Sequence, residues 1–152
     1  MSENNISVNR VAIKYGLIIF VSLVAYFLVM KFVGLFEIHE LRGLNFFILF
    51  VGVWKTLTYY KKKAGLSYFE GIGLGSLTSL IGVIPFSVFI FFYLQADTQF
   101  MANIVANEPF GEYMNPYILG FLIAFEGGIS GVLVSFGMMQ YLKKSSLVSA
   151  SS

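Results

Sequence analysis

The chain contains no cysteine and a single histidine, His39. The first absence excludes disulfides, thiolate nucleophiles and cysteine metal sites, and the second excludes a histidine cluster within one chain. Charge is scarce too: 12% of the 152 residues are charged, against about 25% in an average soluble domain. Hydroxyls such as Ser130 and Ser135 have no histidine within their apolar segments to act as base. Neither an intramembrane hydrolase nor a metalloenzyme is indicated, and no catalytic residue, metal site or cofactor is assigned.

What remains is apolar. Hydrophobic residues make up 57% of the chain and mean hydropathy is +0.79, more than a soluble surface could cover but suited to several spans of about 20 residues. An all-α integral membrane protein with four transmembrane helices in one domain, residues 1–144, is the simplest arrangement. The formal charge of +2 matters less than where the charges lie, and nucleic acid is not indicated as a partner.

The spans read as about 15–36, 44–60, 68–95 and 116–142. Arg10 and Lys14 resemble the start of a signal peptide, but the apolar run after them is too long and lacks a small-x-small cleavage pattern, so it is expected to stay as an anchor. Pro85 is expected to kink the third span unless its neighbours re-satisfy the freed carbonyl. In the connector before the fourth span, Phe100, Met101, Ile104 and Val105 stand at helical spacing. They mark either an amphipathic interfacial helix or an ordinary loop. Residues 145–152 form a serine-rich tail expected to be disordered.

Orientation follows from lysine and arginine. Four spans put both termini on one side together with Arg10, Lys14, Lys61, Lys62, Lys63, Lys143 and Lys144. The other side holds Arg42 and a long loop carrying Asp97, Glu108 and Glu112. The positive-inside rule therefore predicts cytoplasmic termini.

The opening NRVAIKYGLIIF, the segment GLSYFEGIGLG after a basic helix end, and a last span closing in a lysine pair resemble the bacterial domain-of-unknown-function family numbered four-one-nine-nine. The resemblance runs from about residue 9 to 144. It implies a small four-span protein of the bacterial inner (cytoplasmic) membrane and supplies no catalytic residues.

Glu126 lies in FLIAFEGGISG, amid apolar and small residues. An intramembrane carboxylate is costly and is a functional candidate by default. Lys143 follows Glu126 by 17 residues and Lys31 follows Lys14 by 17, so Glu126 and Lys31 reach similar depth at 1.5 Å per residue. Either they pair between the first and fourth spans, or Glu126 binds a proton or cationic solute while Lys31 snorkels to the interface. Lys55 and Glu70 lie nearly symmetrically about the KKKAG turn and are expected to pair across a hairpin; Glu70 also suits the first turn of the third helix.

Gly71 and Gly75 continue to Ser79, and Gly127 and Gly131 continue to Ser135, each row at four-residue spacing. Such faces let backbones approach closely, within the chain or in a homodimer, and Gly127 also leaves room for an ion beside Glu126. Lys61, Lys62 and Lys63 are a topology signal or a patch for anionic lipid headgroups. His39, between Glu37 and Glu40, is expected to be a solvated turn residue. Phe86, Phe89, Phe91, Phe92 and Tyr93 are expected to face lipid or to pack.

The leading expectation is thus a non-enzymatic structural, interaction or accessory subunit, in contact with the bilayer and an unidentified membrane partner. The alternative is a small proton- or cation-coupled transporter using Glu126. Four-span multidrug carriers hold their essential carboxylate in the first span, which here has none.

Overall fold

The structure, a computed structural model, describes residues 7–35 and 43–150, with side chains as far as Lys143. These residues form α1 (Val8–Val33), α2 (Gly43–Ala64), α3 (Tyr68–Ala96), α4 (Thr98–Asn107), a 3-10 turn (Gly111–Tyr113) and α5 (Pro116–Ala150). His39, its neighbours Glu37 and Glu40, and Arg42 lie outside the described residues.

Helix ends follow local chemistry. Ser7 begins α1 by accepting from the Arg10 amide, on both its hydroxyl (3.4 Å) and its carbonyl (3.0 Å). Gly34 and Gly65, both at φ 74°, terminate α1 and α2, and each donates its N–H to a lysine carbonyl 3.2 Å away, Lys31 and Lys61 respectively. A side chain would strain this left-handed backbone, so glycine stops each helix cleanly. The run KKKA is therefore the last turn of α2 rather than its terminator. α3 continues through Pro85.

α5 runs past the expected end at Leu142 as far as Ala150. Most of the tail expected to be disordered is thus helical backbone, because extending a formed helix adds one hydrogen bond per residue fixed and needs no new nucleus.

α3 is the central helix. It packs most extensively on α5 and next on α1, while α2 touches α1, α3 and α5. α1 and α3 are parallel: Gly16 meets Thr78 and Ile81, Ile19 meets Gly82, and farther along Phe27 meets Phe89 and Tyr93. α2 runs antiparallel to α1, with Ile19 against Gly52 and the rings of Tyr15 and Tyr59 5.6 Å apart. Ile19, 1% exposed, is a knob seated on glycines of two other helices, Gly52 and Gly82. The up-down order gives a terminal end, holding Ser7 and Lys143, and a far end, holding Gly34, Gly43 and Ala96.

The protein is all-α, with several long apolar helices, and is a multi-pass membrane protein. Three helices, Val8–Val33, Tyr68–Ala96 and Pro116–Lys143, are long and apolar enough to cross a bilayer. α2 has the length, at 22 residues, but Lys55 and the three lysines of its last turn dilute its apolar character. Large apolar side chains cover the exterior, among them Phe32, Phe69, Phe92, Phe121 and Leu133, all more than 60% exposed. Water would oppose such a surface, whereas lipid is its natural solvent.

Candidate functional site

The far end is organised by one carboxylate. Asp97 follows α3 directly and opens α4, where its Oδ1 accepts from the Phe100 amide at 3.0 Å. Its Oδ2 pairs with the Lys31 ammonium, which also donates to the Tyr93 hydroxyl. The same ammonium stands 4.4 Å from the Tyr93 ring centroid and 5.2 Å from that of Phe100, within cation–π range. Phe27 completes the group, with ring centroids 5.1 Å from Tyr93, 6.0 Å from Phe100 and 6.0 Å from Phe89. The hydrogen bond from Lys31, aided by the Phe100 amide, holds the Asp97 carboxyl below its ordinary value of 3.8. One acid therefore caps α4 and fastens α1 to the α3–α4 junction.

α4 is the amphipathic helix allowed by the connector's spacing: Phe100, Met101, Ile104 and Val105 are its half-buried positions. Phe100 and Ile104 help to line a half-open cavity of about 520 Å³ in the far half of the bundle. Its walls are Leu23, Phe27 and Met30 of α1, Phe46 and Leu49 of α2, Val83, Phe86 and Ile90 of α3, and Leu119, Ile123 and Glu126 of α5. Gly127 and Ser130 line it too, and among the described lining residues Glu126 is the single charged one. Asn45 also lines this cavity, and its Oδ1 is buried without a hydrogen-bond partner among the described residues.

The charge pairs expected from spacing are arranged otherwise. Lys31 goes to Asp97, not to Glu126. α1 and α5 both pack against α3, so equal depth on those two helices does not bring side chains together. Glu126 stays exposed at the cavity wall. Lys55 and Glu70 are not paired either: Glu70 Oε2 accepts from the Ser67 amide at 3.4 Å and the Ser67 hydroxyl at 3.2 Å. The sequence S-Y-F-E is a capping box, so the acid is used within its own helix start. Lys55 is exposed on α2.

The small-residue rows face one another within the chain. A methyl group added at Gly71 would strike Met139, at Gly75 Ser135, at Gly127 Val83, and at Gly131 Ser79. Each step of four residues up α3 thus matches four down α5. The hydroxyls in this seam turn inward to their own helices, Ser79 to the Ser76 carbonyl at 2.9 Å and Ser135 to the Gly131 carbonyl at 2.6 Å. Backbone polarity is satisfied without help from the partner helix, and close packing supplies the attraction.

At the terminal end Lys61 donates to the Leu142 carbonyl at 3.1 Å, tying α2 to α5, while Lys62 and Lys63 are exposed. The Tyr68 hydroxyl accepts from the Gln140 side-chain Nε2 at 2.7 Å, and the Lys143 ammonium stands 5.7 Å from the Tyr68 ring centroid. Of the aromatic residues expected to pack or face lipid, Phe86 is buried and Phe92 exposed. Phe89 and Tyr93 join the group around Lys31. Phe91 lies 4.8 Å from Tyr117, centroid to centroid.

Three features lay outside the sequence expectations. Asp97 stands beyond the apolar run, among loop residues; Asn45 is a lone amide in a helix of mixed polarity; Gly16, Gly52 and Gly82 lack the four-residue spacing that marks a packing row. No group of three or more metal-ligating side chains occurs among the described residues. No family model, curated protein or solved structure matches this chain.

Proposed function

We propose that this chain is a four-span membrane protein that performs no covalent chemistry and holds a solute in the far-end cavity, with Glu126 as its polar contact. The observation that carries this is the placement of Glu126. It lines an apolar cavity of about 520 Å³, within the range of roughly 300–1,000 Å³ common for small-molecule sites. Lys31, the cation that sequence depth would have assigned to it, is engaged by Asp97. A carboxylate at such a position with no ion pair among the described residues suits a small carrier better than a packing element.

Four spans, cytoplasmic termini and a bacterial inner membrane belong to the same proposal. α2 packs along three helices that are each apolar enough to cross, and a helix so placed shares their depth. The family resemblance points the same way. An accessory subunit is the second possibility. Its docking surface would be the outward ridge of α5, where Phe121 and Phe125 stack at 5.9 Å, since the small-residue rows are already occupied within the chain.

Proteoliposomes enclosing a pH-sensitive dye test the carrier proposal. A panel of amphiphilic solutes is expected to drive proton movement with the native chain and not with Glu126→Gln. Equal traces from the two proteins across the panel would remove it.

A further inference from the structure

We propose that the far-end cavity selects an organic cation with an apolar body, a protonated amine or an onium ion, over anions of the same size and shape. This deepens, and rests on, the solute-binding proposal above. Three observations converge on that class.

The first is charge. Glu126 is the single charged side chain among the described residues of the lining, and Lys31 points instead into the Asp97–Tyr93 group at the end of α1. A negative wall in low dielectric favours a positive occupant and strongly disfavours a negative one. The second is hydrogen bonding. Asn45 lines the same cavity, and its Oδ1 is buried with no partner among the described residues. An acceptor left unsatisfied in apolar surroundings is destabilising, and an occupant bearing N–H or polarised C–H groups would satisfy it once the Asn45 side chain turns toward it.

The third is size and wall chemistry. A bare metal ion would leave most of about 520 Å³ empty against apolar walls. An apolar body fills that space, and the aromatic side chains of Phe46 and Phe86 among its walls suit a cation better than an anion. Charge sign, acceptor geometry and volume together specify an amphiphilic cation rather than an inorganic ion or a fatty acid.

Tetraphenylphosphonium and tetraphenylborate are nearly identical in shape and opposite in charge, so they isolate the sign. The full-length protein in nanodiscs is dialysed to equilibrium against each radiolabelled ion, with empty nanodiscs subtracted. Saturable phosphonium binding is expected, with borate showing none. Glu126→Gln should weaken phosphonium binding by about tenfold or more, as loss of a charge partner in low dielectric implies, while Glu126→Asp should stay nearer the native value.

Binding of both ions alike, or an unaltered affinity in a folded Glu126→Gln protein, would overturn the charge selection and leave solute binding standing. Absence of binding for either ion would overturn this inference, while the proteoliposome assay decides the broader proposal separately. If Glu126→Gln fails to fold, the two ions on the native protein and on Glu126→Asp still decide the sign.

Discussion

Asp97 shows how much one side chain can hold together. Its two oxygens serve different elements: Oδ1 takes the Phe100 amide of α4 at 3.0 Å, and Oδ2 takes the ammonium of α1. Both interactions favour the ionised form, which is why the carboxyl sits below its ordinary value. The consequence for pH has a definite sign. A group depressed on folding contributes stability that is complete above its unfolded value, about 4, and is lost as pH falls through the lower folded value. Thermal unfolding of the native protein and Asp97→Asn in detergent, followed from about pH 7 to 3, checks this. The gap between their melting temperatures is expected to be constant above about pH 5 and to close below about pH 4. A gap that persists at acid pH would mean that the ionised carboxylate does not hold the junction.

Residue identity alone could not find this partner. Counting depth put Lys31 level with Glu126, but depth fixes one coordinate and leaves the direction around the helix open. α1 turns its Lys31 face toward α3, where Asp97 waits one residue beyond the helix end. Glu70 is the opposite case: serine three residues before it in S-Y-F-E is a local signal, readable without tertiary information. Helix caps are written in adjacent residues, whereas pairs between spans depend on which faces meet.

Among elements, the α3–α5 seam was the part most open to reading, because four-residue spacing of small residues is itself the geometry of contact. Spacing could not say that the two rows would meet each other rather than a second copy of the chain. Their matched antiparallel register, Gly71 opposite Met139 through Gly127 opposite Val83, answers this physically. Each glycine accepts a side chain from the other helix, and the small hydroxyls bond to their own backbones. Position therefore decides what a glycine is for. An added methyl at Gly131 meets the Ser79 side chain, while at Gly73 and Gly137 it meets nothing within 4 Å. Gly131→Ala is expected to destabilise the protein by about 1–3 kcal/mol through overpacking. Gly73→Ala is expected to be neutral or stabilising by up to about 1 kcal/mol, since alanine is the better helix former. Unfolding titrations in mixed detergent micelles compare the two directly, and similar responses at both sites would mean that the seam is not tightly packed.

For the whole molecule, the distribution of charge and the packing of α2 bear on the same question. The terminal end gathers Arg10, Lys14, Lys62 and Lys63 in exposed positions, while the far end exposes Glu112 and carries Glu108. α2 lies between these ends beside the apolar helices, yet it is not among the three helices apolar enough to cross. Lys55 explains much of the shortfall without forbidding a crossing: it is exposed and its stem can carry the ammonium toward the terminal-end interface. If α2 crosses, Ser7, Lys62 and Lys143 lie on one side of the membrane and Glu112 on the other. If it does not, three crossings separate Lys143 from the N-terminus and the lysine-rich ends no longer coincide. The absence of native cysteine makes the test direct. In intact cells a membrane-impermeant maleimide is expected to label Glu112→Cys, and to label Ser7→Cys, Lys62→Cys and Lys143→Cys only after permeabilisation. Labelling of Ser7→Cys and Lys62→Cys from opposite sides would reduce the bundle to three crossings. The cavity walls contributed by Asn45, Phe46 and Leu49 would then have to come from a helix that lies outside the hydrocarbon, and the selectivity assigned to Glu126 would lose its low-dielectric setting.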